Sequence, residues 1–306
     1  MKLGIKVGLL NLKENLNNIR EIPDLEAAEV WYDAGKPEAY KELFKALKDR
    51  KIDVGLHYWG RNKDGISANL AYPDKKIINF SIASICHTID TARENGFQYV
   101  NVHPGYEALV GIDFLKEKFH LLSKPKSFKE IISIFLENAH FLDDYGALRQ
   151  ITITFETVPL KVAAIGWYGK STRDKPEEVY QLGINYLKAA AEAGLYIAND
   201  FGHTAADIIT QDPKNVWNFL KKSTIFLSSQ TRLIHLGFVI PPYNGTDIHD
   251  TFENPVFSTT LAVPNRNQMI ELLRIFKKKK NLWIIPEPKG NHRKNYYLAK
   301  EMLSQI

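Results

Sequence analysis

Histidines and carboxylates recur at the ends of short apolar runs in this sequence, in a pattern suited to holding metal ions. In chain order they are His57, His103 followed by Pro-Gly, Glu156, Asp200 with His203 three residues on, His235, Asp247 with His249 two residues on, and Glu287. Five imidazoles and four carboxylates offer nitrogen and oxygen donors that suit zinc or manganese, whereas calcium and magnesium sites are mostly oxygen. One ion uses three or four protein groups and keeps a position open, so this set is enough for two or three ions if a carboxylate bridges. Two ions about 3.5 to 4 Å apart can share a hydroxide and neutralise the attacking and leaving oxygens of a phosphodiester, which makes hydrolysis a plausible chemistry for the set. Asp33 reads instead as a helix or turn cap. His87, His120, His140 and His292 fall in expected helices or flanking loops and read as structural or solvated. Cys86 is the single cysteine, so an internal disulfide and a cysteine-based metal site are excluded, and its periodic apolar setting predicts a buried, inert thiol.

Donors so far apart in sequence meet only if the elements carrying them share one rim. Strand-type apolar runs occur at 3–7, 28–31, 52–56, 99–102, 151–155, 195–198, 232–234 and 282–285, and helix-period stretches follow near 12–20, 38–50, 74–95, 127–144, 175–193, 213–222, 264–280 and 291–305. Ser127 and Glu130 have capping-box spacing, Asp212-Pro213 reads as an N-cap with a pre-set first turn, and Gly194 closes the alanine-rich helix. Eight βα repeats in 306 residues predict a (β/α)8 TIM barrel, an α/β fold whose chemistry sits at the C-terminal strand ends. No Gly-x-Gly-x-x-Gly or P-loop follows the first strand, which argues against an open doubly wound sheet. Nothing in composition divides the chain, so one domain is expected over residues 1–306. Only the first strand supplies no candidate donor. With 9 histidines and 35 acidic residues in 306, finding one near seven or more of eight strand ends has a chance of roughly 5 in 1000.

Hydrophobic residues at 44% with 25% charged describe an ordinary globular chain, which excludes a disordered or collagen-like one. The net charge of +5 permits a polyanionic partner without requiring one. Lys277 to Lys280 follow an apolar helical stretch and are expected to end that helix, where cations favour the dipole. No run approaches the roughly 18 apolar residues of a spanning helix, and the opening Met-Lys-Leu-Gly-Ile-Lys-Val-Gly is too short and broken for a secretory leader. A soluble, cytoplasmic protein with no membrane partner is the expectation.

The order of the donors resembles the xylose-isomerase-like barrel superfamily and, within it, endonuclease IV, the zinc-dependent apurinic/apyrimidinic endonucleases. Ala68-Asn69-Leu70-Ala71 is also similar to that family. The resemblance implies that His57, His103 and Glu156 hold one zinc, Glu156, Asp200, His235 and Glu287 a second, and His203, Asp247 and His249 a third, with Glu156 as the bridge. It implies Zn2+ (two or three ions, with Mn2+ as the alternative), Glu156, Glu287 and His203 as the catalytic set, and cleavage of abasic duplex DNA 5′ to the lesion. The chain departs from the endonuclease pattern where DNA contacts are made. Tyr32-Asp33-Ala34-Gly35-Lys36-Pro37 replaces an Asn- and Arg-containing loop, and Tyr58 or Trp59 is left as the residue to probe a lesion. Extra length near 106–126 and the aromatic residues Trp167, Tyr168 and Tyr243 are candidates for a platform under bases or a sugar ring. Glu156, Asp200, His235 and Glu287 alone match the single-metal site of sugar isomerases and epimerases in the same superfamily. The alternative reading is therefore a sugar or sugar-phosphate isomerase, and the third a binding protein with a vestigial site.

Overall fold

The structure, a computed structural model, describes residues 1–113, 118–161 and 179–306. In chain order its strands are β1 (Lys2–Val7), β2 (Ala27–Asp33), β3 (Asp53–Trp59), β4 (Tyr99–Val102), β5 (Val110–Asp113), β6 (Lys118–Leu121), β7 (Thr152–Glu156), β8 (Ile197–Asp200), β9 (Thr231–Leu236) and β10 (Trp283–Pro286). All except β5 and β6 pair in parallel with their neighbours, and β1 pairs with β10 to close the barrel. β5 and β6 form an antiparallel hairpin inserted after β4, within the extra length noted in the sequence. The fold is the (β/α)8 barrel that the apolar periodicity predicts.

The described helices are α1 (Leu12–Glu21), α2 (Lys41–Asp49), α3 (Lys75–Asn95), α4 (Phe128–Ala147), α5 (Ile184–Glu192), α6 (Phe201–Ala205), α7 (Pro213–Leu227), α8 (Arg266–Ile275) and α9 (His292–Leu303). Their ends follow the expected chemistry. The Glu130 carboxylate accepts from the Ser127 N–H at 2.8 Å, and Asp212 Oδ1 accepts from Lys214 N–H at 2.8 Å with Pro213 in the first turn. α7 runs on to Leu227, past the expected end at 222, and two further boundaries differ from expectation. Part of the stretch 175–183 lies outside the described residues, and α5 starts only at Ile184, where Asp207 Oδ2 accepts the Ile184 N–H at 2.8 Å. α8 stops at Ile275, so Lys277 to Lys280 lie beyond it. Lys279 Nζ instead donates to Ser228 O at 2.5 Å and Ser229 O at 2.8 Å, satisfying carbonyls just past the end of α7. Among the described residues no helix is long and apolar enough to cross a membrane.

Both faces of a closed parallel sheet are covered, so strand residues of one parity meet the helices and those of the other fill the lumen. Ile5, Val30, Leu56, Val100, Ile153 and Ile234 belong to the large core under the helices. Ala27, Tyr99, Ala198, Leu233, Trp283 and Ile285 form a separate apolar cluster. That second cluster floors the lumen. Gly55 on β3 makes room for it, because a Cβ there would lie 2.0 Å from Tyr99 Cζ.

Candidate metal centre

One step above this floor the strands change chemistry. Glu29, Asn101, Asp200, His235 and Glu287 follow Ala27, Tyr99, Ala198, Leu233 and Ile285 by two positions each. A period of two returns each side chain to the lumen, nearer the C-terminal strand ends. His57 and Glu156 join them from β3 and β7, and each of these seven residues is at most 7% exposed.

The nine donors singled out in the sequence meet at this mouth. His57, His103 and Glu156 form one group, Glu156, Asp200, His235 and Glu287 a second, and His203, Asp247 and His249 a third; within each, ligand-type atoms lie within 4.8 Å of one another. Glu156 is the hub. Its Oε1 is 3.1 Å from both His235 Nδ1 and His203 Nδ1, and its Oε2 is 3.4 Å from His57 Nε2 and 3.5 Å from His103 Nε2. The Asp200-x-x-His203 spacing is the first turn of α6, where Asp200 Oδ1 caps the His203 N–H at 2.8 Å. In the loop after β9, Asp247 Oδ2 stands 2.7 Å from His249 Nε2 and 3.4 Å from His203 Nε2.

Neighbouring groups hold the imidazoles in orientations suited to ligation. A metal-bound imidazole usually gives its other N–H to a carboxylate or carbonyl. His235 Nε2 lies 3.0 Å from Glu29 Oε1, leaving Nδ1 toward Glu156, Asp200 and Glu287. His203 Nδ1 is 2.9 Å from Thr157 O, and His249 Nδ1 is 3.1 Å from Glu287 O. Both leave Nε2 toward Asp247. His57 Nε2 and His103 Nε2 are buried without a hydrogen-bond partner among the described residues, a costly arrangement that a cation between them would relieve. With no sulfur and mixed nitrogen and oxygen donors, the residues fit zinc or manganese.

The electrostatics point the same way. Burial opposes ionisation of Glu156, yet the imidazoles of His235, His57 and His103 hold its carboxyl well below the usual glutamate range. Burial likewise works against the charge on His235, but Glu287, Glu29 and Glu156 raise it well above the ordinary histidine range. His203 is raised in the same way, with Asp200 the largest contributor against burial. Asp200 itself is pushed up, by burial first and by Glu287 and Glu156, against the pull of His203 and His235. So many opposed charges gathered in one buried lumen mark it as a candidate functional site.

Three residues near the site escaped the sequence reading. The first strand does contribute, through Lys6, whose ammonium reaches Glu29, Glu287 and His57. Glu29 is wholly buried beneath the imidazoles. Its signal was present, since a charge in the middle of a strand covered on both faces must be buried and partnered. His292, read as structural or solvated, lines the mouth; its Nδ1 has no partner among the described residues, and burial holds its pKa down to about 4.

A cavity of about 240 Å³ opens above the donors, walled by Trp31, Trp59, Tyr106, Phe119, His103 and His292. Strand alternation decides between the two aromatic candidates on β3. Trp59 has the parity of His57, whereas Tyr58 packs in the core under the helices. Tyr243 is also core, its hydroxyl donating to Leu261 O at 2.5 Å, and so forms no platform; Trp167 and Tyr168 lie outside the described residues. Asp33 caps a turn, accepting from the Gly35 N–H at 2.9 Å. Asn69 is a brace, donating to Tyr106 O and Ala108 O at 2.8 and 3.0 Å.

Comparison with solved structures places the architecture. A D-tagatose 3-epimerase-like protein aligns with a TM-score of 0.64 at 18% identity, over 100% of this chain and 98% of that one. At this identity the likeness shows the fold, the closed (β/α)8 barrel described above. The apo form of 3-keto-D-glucoside 4-epimerase from E. coli aligns at 0.61 and 12% identity over 99% of both chains. Endonuclease IV from Thermus thermophilus aligns at 0.54 and 15% identity over 100% of both. No protein-family model matches the sequence, and no curated protein does.

Proposed function

We propose that this chain is a metal-dependent isomerase or epimerase of a small sugar, with Glu156, Asp200, His235 and Glu287 as the ligands of the working ion. The observation that carries the reading is the small cavity at the mouth, which Glu287 of that group lines together with His57, His103, His203, Asp247 and His249. At about 240 Å³ it is smaller than the roughly 300–1,000 Å³ of drug-sized pockets and suits a single sugar unit. The predominance of epimerases among similar folds supports it. This exchanges the order of the two enzymatic readings drawn from the sequence, where phosphodiester cleavage led.

Bound at these residues, zinc or manganese supplies Lewis acidity to the carbonyl and adjacent hydroxyl oxygens of a sugar. Glu156 and Glu287 bracket His235 Nδ1 at 3.1 and 3.3 Å, so both carboxylates would stand at the ion, and Glu287 also lines the cavity where a substrate would lie. Both are held ionised by their cationic neighbours, so either can take the proton from the carbon beside the carbonyl. Return of a proton to the neighbouring atom, or to the opposite face, completes isomerisation or epimerisation. Trp31, Trp59 and Tyr106 wall the cavity with aromatic surface against which a sugar ring can lie.

One observation favours a second reading. The groups around His103 and Asp247 adjoin the first through Glu156 and His203, and a one-metal isomerase does not require them. A phosphodiesterase acting on an extruded abasic sugar does. The experiment uses protein loaded with Mn2+ or Zn2+ and a ketose and aldose panel in D2O, beside cleavage of an abasic duplex with and without chelator. Solvent deuterium entering a sugar carbon, with Asp247→Ala still active, supports the isomerase. Chelator-sensitive cleavage without deuterium entry into any sugar overturns it in favour of the hydrolase.

A further inference from the structure

A fourth group of metal-type donors lies deeper in the lumen. Glu29, His57, His235 and Glu287 each offer an atom within 4.8 Å of the others. Unlike the groups above, this one already contains a cation. Lys6 Nζ contacts Glu29 Oε1, Glu287 Oε1 and His57 Nδ1 together. An ammonium carries three N–H donors, and three acceptors surround it.

The surroundings are built to keep that charge. Lys6 is 8% exposed and Glu29 fully buried. The carboxylates of Glu29 and Glu287 both contact the ammonium and compensate its charge in this buried setting. The Tyr99 hydroxyl donates to the other Glu29 oxygen at 2.8 Å, and His235 Nε2 is 3.0 Å from Oε1. The carboxylate of Glu29 is therefore fully engaged by the protein. Without the ammonium, the same four residues would present two carboxylates and two imidazoles, a set a divalent zinc or manganese ion would accept.

We propose that Lys6 is a built-in cation standing where a metal would otherwise bind, so that metal loads only above it and Glu29 orients imidazoles instead of ligating. With a metal at His57 Nε2 the imidazole proton would sit on Nδ1, 3.2 Å from Glu29 Oε1, and the ammonium would give up that acceptor and keep its two carboxylates. The inference deepens the metal reading above and rests on it only for where metal sits in the wild-type protein.

The test is metal content per folded chain at saturating Zn2+, measured by elemental analysis after gel filtration. Wild type, Lys6→Ala, Lys6→Met, Glu29→Gln and the Lys6→Ala/Glu29→Gln double variant are compared, with circular dichroism as the fold check. Lys6→Ala is expected to gain about one ion per chain and the double variant to lose that gain. Glu29→Gln alone should leave the saturated count unchanged while weakening affinity about 10- to 100-fold through its imidazoles. No gain in a folded Lys6→Ala or Lys6→Met overturns the proposal. So does a lower saturated count in Glu29→Gln, which would put an ion at Glu29; this arm decides even if neither Lys6 variant folds. A wild type that binds no metal sinks the proposed function instead, and the Lys6 comparison still judges the plug.

Discussion

Replacing Glu156 by Gln is the perturbation that most directly tests the metal reading. The amide keeps the shape of the carboxylate but removes its charge from a point 3.1 to 3.5 Å from His235, His203, His57 and His103. Glu156 belongs to two of the donor groups, so the lost anion weakens both. Taking one partner from a buried, compensated charge network costs ~3–5 kcal/mol. That corresponds to about two to three and a half decades in metal affinity. Competition against a chromophoric chelator measures the affinity, and elemental analysis counts what survives dialysis. Retention of at least one ion fewer per chain is expected, together with loss of turnover on whichever substrate the wild type accepts. Metal content and turnover equal to wild type in a folded Glu156→Gln would refute the assignment of Glu156 as a shared ligand.

Three further outcomes follow from other parts of the molecule. His235 and His203 are raised well above the ordinary histidine range without metal, so they hold protons near neutrality that ligation must expel. Metal affinity should therefore rise with pH, and calorimetry in two buffers of different ionisation enthalpy should show proton release; identical heats would contradict this. Gly55→Ala drives a Cβ into the Tyr99 ring, and overpacking of this kind costs ~1–3 kcal/mol. A denaturant midpoint unchanged from wild type would show that the lumen floor yields more easily than this packing implies. Asp207, just past α6, accepts the Ile184 N–H at the start of α5 and is pushed up to about 7, chiefly by burial. A carboxyl raised on folding contributes stability that is full below about pH 4 and lost as pH rises through about 7, at most ~4 kcal/mol and less with partial solvent access. Asp207→Asn keeps an oxygen for the Ile184 N–H and should flatten the stability profile over that interval relative to wild type, as urea midpoints can show.

The barrel was legible because a strand between two covered faces must be a short apolar run and a helix over it must have a polar face. The outer donors were legible because they close such runs: His57, Glu156, His235 and Glu287 each follow one. Lys6 and Glu29 were missed for a physical reason. They lie inside their strands at lumen-facing positions, and a search confined to strand ends passes over them. Counting parity from Ala27 would have found Glu29, since it falls in phase with Trp31 on the inner face. His292 was beyond such reasoning. It opens α9 and becomes part of the mouth only because the loop after β10 turns it back over the barrel, which no periodicity encodes.

The choice between sugar and nucleic acid rests on the rim, since either chemistry can use the same floor. A duplex is gripped largely through phosphates, which calls for rim cations free to displace counterions. Several rim cations among the described residues are already engaged. Lys289 stands 3.4 Å from Asp250, Lys36 stands 3.5 Å from Asp33, and Arg61 donates to Ile112 O at 3.3 Å. Lys161 lies 5.8 Å from the centre of the Tyr180 ring. The walls between them are aromatic, with Trp31 tilted 4.8 Å from the His57 ring and Trp59, Tyr106 and Phe119 across the cavity. Apolar faces with a polar metal-binding floor match the alternating faces of a sugar ring better than the continuous negative edge of a phosphate backbone. Steep loss of any duplex binding between 50 and 200 mM salt, with a slope of several phosphates, would reverse that argument.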